Sequence, residues 1–285
     1  MREVLALVCG ALLIGLVPIF VRFSDAGPSA TAFWRMALAS SLLALVMRPG
    51  IDRICRTGRK EAQKMMWWSG AFFALDLAFF HWAIALTTVA SASLMNNLAP
   101  VFAGLFSLLL GVRLGRGYWA GLVLAIGGIF VLVGGPGAVP EGVPWGELSG
   151  IVSAVFFALY LLSLERARRG LATWTVMLGS GISASAILLL IALLTDTAFL
   201  PQSATGWLAV VGLAAVCHLA GQALLTFAMA RISGAMAALG MLLQPVAAAG
   251  FAAVLFAETL SPAEMMGALV VLAGLGVVLF DRARR

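Results

Sequence analysis

Residues 85–101, ALTTVASASLMNNLAPV, lie over residues 230–246, ARISGAMAALGMLLQPV, in one register that places Pro100 on Pro245. Self-similarity at so long a spacing marks a duplicated structural unit, and it decides how the rest of the chain is read. Past the next loop, Gly121 and Gly128 fall on Gly267 and Gly274 after a slip of one residue. Toward the N-terminus, Gly10 falls on Gly150, Phe20 on Tyr160 and Trp34 on Trp174. The offset stays near 140 to 146 residues throughout, so the chain reads as two halves, 1–134 and 146–285. Between them lies the Gly/Pro-rich stretch GGPGAVPEGVP (134–144), with 135–145 as a linker on the periplasmic side.

Composition fixes the solvent in which these halves fold. The 285 residues are 62% hydrophobic and 11% charged, with a mean hydropathy of +1.07, against roughly 25% charged in soluble domains. This is a membrane composition. A helix needs about 20 apolar residues to cross the hydrocarbon, and ten such runs occur, at 3–22, 29–47, 66–86, 91–111, 118–134, 146–165, 173–194, 205–227, 234–255 and 262–280. The runs are continuously apolar rather than alternating, which excludes a β-barrel. The first run follows Arg2 and precedes Ala30-Thr31-Ala32, as in a signal peptide, but Arg22 and Asp25 intervene and the run has its own counterpart in the second half. It reads as helix 1. The fold class is therefore all-α, with five membrane helices in each half.

The net charge of +6 would suggest nucleic acid in a soluble chain, but here the cations sit in short connections between apolar runs and report topology. With the N-terminus inside, Arg2, Arg48, Arg53, Arg56, Arg59, Lys60, Lys64, Arg113, Arg116, Arg166, Arg168, Arg169, Arg231, Arg282, Arg284 and Arg285 are cytoplasmic, 16 of the 18 Lys and Arg. Asp25, Glu141, Glu147, Asp196 and Glu258 lie outside, with Arg22 and Arg35 near that face. Both termini are thus expected in the cytoplasm. Trp67, Trp68 and Trp119 fall at inner helix ends and Trp145 and Trp207 at outer ones, as an aromatic belt requires. Cys9, Cys55 and Cys217 are widely spaced with no CxxC, so neither a disulfide framework nor a metal site is expected.

Five helices per half is an odd number, so the second copy enters the membrane with opposite topology. That is the inverted-repeat plan of secondary transporters, whose related halves open alternately to either side. Arg35 in helix 2 after the GPS of residues 27–29, the stretch ALTTVASASLMNNLAPVF, the ETL at Glu258 and the glycine-rich fifth and tenth helices resemble the EamA-type exporters of the drug/metabolite transporter superfamily. The resemblance runs over essentially the whole chain, and among branches it is nearest to the YddG-type aromatic amino-acid exporters. One departure is Arg113 in GVRL, where the family usually carries a Glu, so Glu258 stands without its repeat partner. The resemblance implies export.

Polar groups in the apolar runs are the candidate substrate-binding residues. Proline lacks an N–H and frees the carbonyl four residues earlier. For Pro100 and Pro245 those are the carbonyls of Asn96 and Met241, with the Asn96, Asn97 and Gln244 side chains beside them. Such carbonyls are tolerated at mid-membrane only against protein or a wet cavity. Asp76, in FFALDLAFFHW (72–82), lies near the centre of helix 3, where a carboxylate is costly enough to mark a path or a partner and to offer a proton site. Phe79 and Phe80 share its face, whereas His81 is about 140° away around the helix. Helix 8 carries His218 and Gln222, four apart, and Trp82 and Tyr160 complete an aromatic wall. Each group has a plainer reading as an interhelical bond or packing residue, and Gly117, Gly121, Gly128, Gly267 and Gly274 most simply allow close helix contact. A monomer, or a homodimer through helices 5 and 10, is compatible with this.

No HExxH, GxSxG, Walker A or paired-Cys motif occurs, which argues against a membrane enzyme. Carriers of phosphorylated sugars need cations in the cavity, and only Arg35 is available. A cation-drug antiporter of the small multidrug kind would place an acid inside helix 1, yet none lies between Glu3 and Asp25. The expectation is an alternating-access exporter of the bacterial inner membrane. Its substrates are small amphipathic metabolites, aromatic amino acids first, with no cofactor and a proton as a possible second cargo. The alternative is a facilitator or proton-coupled exporter of other metabolites or drugs.

Overall fold

The computed structural model describes residues 2–47, 60–133, 144–257 and 259–283. Cys55, Glu258, the cations at 48, 53, 56, 59, 284 and 285, and linker residues 135–143 lie outside the described residues. The described regular structure is all helical, and ten helices are long and apolar enough to cross a membrane. They are α1 (Arg2–Arg22), α2 (Pro28–Val46), α3 (Lys60–Leu86), α4 (Ser91–Leu109), α5 (Arg116–Val133), α6 (Trp145–Arg168), α7 (Thr173–Thr195), α8 (Ala204–Ala228), α9 (Gly234–Phe256) and α10 (Pro262–Asp281). Every expected run holds a helix. The largest difference is in α3, which begins at Lys60 because the polar KEAQK segment continues the helix.

Helix starts follow from local chemistry. Thr88 accepts the Ser91 N–H at 3.1 Å and Ser233 accepts the Met236 N–H at 3.4 Å, so the two copies of the repeated segment begin with equivalent hydroxyl caps. Ser203 does the same for α8 through Gly206, at 2.9 Å.

Three helices are interrupted. The α1 path stops at Ile14 and resumes at Val17, just before Pro18. That of α4 stops at Asn96 and resumes at Ala99, just before Pro100, and that of α9 stops at Gly240 and resumes at Leu243, just before Pro245. In each, the proline cannot donate to the preceding turn and its ring crowds the carbonyl there. A fourth helix, α8, is widened rather than broken, running as π-helix from Leu213 to Gln222.

Glycine contacts set the closest packing. A Cβ on Gly274 would lie 2.7 Å from the Gly121 carbonyl oxygen, and one on Gly267 would lie 2.7 Å from that of Gly128. Gly121 thus faces Gly274 while Gly128 faces Gly267, so α5 and α10 run antiparallel with backbones in contact, and these glycines are used within one chain. Helices α3 and α6 are also antiparallel neighbours, the Ser149 hydroxyl donating to the Phe79 carbonyl at 2.9 Å. Gly10 of α1 meets Gly221 of α8 in the same manner.

The two ends of the bundle are tied differently. At one, Asp25 accepts the N–H groups of Gln202 at 3.1 Å and Ser203 at 2.8 Å, while Asp196 accepts that of Ala30 at 2.6 Å. Each carboxylate, from a loop in one half, serves the start of a helix in the other. At the opposite end Glu165 accepts the Gly234 N–H at 2.6 Å and Arg231 lies 3.5 Å from Glu3. Leu161, Leu164, Leu225, Met229, Ile232 and Leu239, all fully buried, fill the bundle toward this Arg231 end.

Candidate functional site

The three helix interruptions converge on one cavity of about 240 Å³. Gly15 and Pro18 of α1, Asn97 and Pro100 of α4, and Leu242 and Pro245 of α9 all line it. Helix α3 supplies a further wall with Phe73, Asp76, Leu77 and Phe80, and Phe157 comes from α6. The repeated segment therefore contributes both of its copies to a single space.

Asp76 of α3 and Asn96 of α4 are polar groups of the cavity wall, and the fully buried Ser153 of α6 backs them. Ser153 Oγ of α6 donates to Asp76 Oδ1 at 2.6 Å, and Asn96 Nδ2 of α4 donates to the same oxygen at 3.0 Å and to Ser153 Oγ at 2.6 Å. A carboxylate at this depth is tolerated because donors converge on it. Asn97 turns instead to its own helix, its Nδ2 donating to the Ser93 carbonyl at 2.8 Å beside the break. Tyr118 of α5 donates to the Pro100 carbonyl at 2.7 Å and braces that break from behind.

The cavity also holds a cation. Arg35 of α2 is 6% exposed, its guanidinium carbon is 5.6 Å from the centre of the Phe73 ring, and its Nε is buried without a hydrogen-bond partner. Asp76, Tyr160 and Cys217 are within electrostatic reach of it, but Asp76 directs the bonds above to Ser153 and Asn96. One wall thus carries a positive group and an adjacent wall a negative one.

Of the residues singled out in the sequence, Asp76, Phe80, Asn96, Asn97, Pro100, Gln222, Met241 and Gln244 line this cavity. Tyr160 and His218 line a much smaller neighbouring cavity that shares Gln222, whose amide donates to the Tyr160 hydroxyl. The others lie elsewhere. Trp82 is 48% exposed on the outside of the bundle, and Phe79 stacks on Phe156 at 5.5 Å and meets Trp82 edge to face at 5.2 Å. His81 also lies outside the cavity wall, with a buried Nδ1 that has no hydrogen-bond partner among the described residues. Among the lining residues, Arg35 was missed by sequence reasoning as a binding group although it carried a signal, a cation inside an apolar run. Ser153, buried behind Asp76 and bound to it through its hydroxyl, carried none, because a lone serine reads as packing. No group of His, Cys, Asp or Glu among the described residues could hold a metal ion.

Comparison with known proteins places this geometry in a family. The sequence profile of the EamA-like transporter family matches residues 1–134 and 144–280. A protein of Archaeoglobus fulgidus described as an uncharacterized transporter is 26% identical over 94% of this chain and 93% of its own length. The pseudopaline exporter CntI of Pseudomonas aeruginosa is 34% identical over 102 residues, which span 35% of this chain and 34% of that protein. A solved crystal structure aligns with 99% of this chain and 98% of its own at a TM-score of 0.81 and 21% identity, a likeness of fold.

Proposed function

Because the chain belongs to the EamA-like transporter family, we propose that it is a secondary exporter of small amphipathic metabolites, with aromatic amino acids as first candidates. The observation that carries this reading is the cavity at the three helix breaks, which combines Phe73, Phe80 and Phe157 with the hydrogen-bonded Asp76 and Asn96, the carboxyl backed by Ser153. Apolar walls with a few placed polar groups suit an amphipathic solute. A volume of about 240 Å³ suits a small one. The relative named as an exporter supports the direction.

Transport proceeds by alternating access between two inverted five-helix repeats, with both termini in the cytoplasm of a bacterial cell and the chain in its inner membrane. The antiparallel apposition of Gly121 and Gly128 with their repeat counterparts Gly274 and Gly267 supports the inversion. The cavity sits toward the Asp25 end, and the buried leucine layer lies between it and the Arg231 end. In the proposed cycle, the breaks at Pro18, Pro100 and Pro245 are where half-helices tilt to move that closure from one side to the other. Asp76, the one carboxylate lining the cavity among the described residues, is where a proton enters if transport is coupled.

The test is uptake of labelled tryptophan, phenylalanine and alanine into proteoliposomes, with and without a pH gradient, for the intact protein and Asp76→Asn. Saturable flux of the aromatic pair above alanine is expected. Accumulation driven by the gradient and lost in Asp76→Asn assigns coupling to that carboxyl, and flux indifferent to both makes the protein a facilitator. Absence of flux for all three sinks the substrate class.

A further inference from the structure

We propose that Arg35 is the anion subsite of the cavity, taking the carboxylate of the transported metabolite, so that decarboxylated analogues are refused. This rests on the exporter reading above and adds a residue and a chemical requirement to it.

Three observations carry it. The guanidinium is more than nine-tenths buried, yet its Nε has no hydrogen-bond partner and no carboxylate among the described residues forms an ion pair with it. Leaving donors of a buried cation unsatisfied is costly, and a guanidinium in a cavity wall whose Nε lacks a partner suits an anionic group. Second, Arg35 lines the cavity and does not point into a packed core. Third, Asp76, the acid within electrostatic reach, has its Oδ1 held by Ser153 and Asn96 at 2.6 and 3.0 Å, and the Arg35 Nε has no partner. Arginine is the side chain whose planar donors match a carboxylate two to two.

Position adds selectivity. Arg35 stands over Phe73, one helical turn from Asp76 on α3. A carboxylate on Arg35 brings the rest of a small solute against the Phe73 and Phe80 faces. An ammonium, where present, turns toward Asp76. The two poles of the cavity thus match an α-amino acid, with the carboxylate as the part that cannot be omitted.

The experiment is competition against labelled tryptophan flux by unlabelled tryptophan, tryptamine and indole-3-propionate, for the intact protein, Arg35→Gln and Arg35→Lys. In the intact protein tryptophan and indole-3-propionate compete and tryptamine does not. Arg35→Gln raises KM for tryptophan tenfold or more and loses the discrimination against tryptamine, while Arg35→Lys keeps part of both. Tryptamine competing as well as tryptophan in the intact protein, or unchanged KM and discrimination in Arg35→Gln, overturns the proposal. A second readout does not need tryptophan flux. Phenylacetate stabilises the purified intact protein against heat, and phenethylamine does not. The difference disappears in Arg35→Gln, and equal stabilisation by the two compounds, or by neither, also overturns it. A failed amino-acid assignment with an intact Arg35 assignment would show as no tryptophan flux alongside carboxylate-specific stabilisation.

Discussion

Gly121 of α5 and Gly274 of α10 face each other so closely that a Cβ added to Gly274 would stand 2.7 Å from the Gly121 carbonyl oxygen. The partner atom is backbone and cannot swing aside. Gly274→Val therefore forces the two helices apart, at a cost of about 1–3 kcal/mol. Gly276→Val, two residues along where a Cβ meets open space, is the control. Thermal unfolding in detergent should show a lowered midpoint for the first variant and little change for the second.

Ser153 and Ser149 lie one turn apart on α6, but only Ser153 donates to a carboxylate, at 2.6 Å from Asp76 Oδ1. Ser149 donates to the Phe79 carbonyl at 2.9 Å. Hydrogen bonds to charged groups are worth about 1.5–3 kcal/mol against about 1 kcal/mol for neutral ones. Ser153→Ala is expected to lower both the unfolding midpoint and kcat/KM for flux, and Ser149→Ala to lower only the midpoint, and by less. Equal losses of flux would remove the special role given to the Asp76 cluster.

Asp25 predicts a pH response at its end of the bundle. The Ser203 hydroxyl, then the Gln202 and Ser203 backbone N–H groups, hold its carboxyl below the usual carboxylate range. A depressed carboxyl contributes stability above its unfolded pKa, about 3.9, and loses it as pH falls through the lower folded value. The protection of the Gln202 and Ser203 amides against hydrogen exchange, measured relative to their intrinsic rates, should therefore stay high at pH 5 and fall only under more acidic conditions. In Asp25→Ala the same amides should exchange quickly at pH 5. Fast exchange in the intact protein at pH 5 would contradict the clasp.

Tyr118 holds the α4 break through its 2.7 Å bond to the Pro100 carbonyl. Tyr118→Phe leaves that buried oxygen without its donor, at a cost of about 1–3 kcal/mol. Faster exchange of the Val101 amide, next to the break, is the expected local readout; unchanged exchange would mean the break is braced by other contacts.

The helices were legible because hydropathy and length are properties of single segments, and α7, expected at 173–194, spans Thr173–Thr195. The breaks of α4 and α9 were legible from Pro100 and Pro245. Which face of a helix looks inward was not. In FFALDLAFFHW nearly every position is apolar, so no stripe distinguishes Phe80, which lines the cavity, from Phe79, which stacks on Phe156, or Trp82, which faces outward. Arg35 was seen as a cation at depth, but its place over Phe73 depends on α2 packing beside α3, and a sequence does not carry that pairing. Ser153 was invisible for the same reason, since its partner Asp76 is 77 residues away.

The account stands on one claim, that solute crosses through the cavity at the three helix breaks. Leu77 lines that cavity, is only half-buried and makes none of its hydrogen bonds, so Leu77→Trp fills the space while leaving Asp76 and Arg35 in the sequence. The decisive measurement is tryptophan flux in proteoliposomes for the intact protein and Leu77→Trp, at matched reconstitution and with both proteins monodisperse. The account predicts saturable flux in the intact protein and a loss of tenfold or more in the variant. Flux through Leu77→Trp at the intact rate would contradict it.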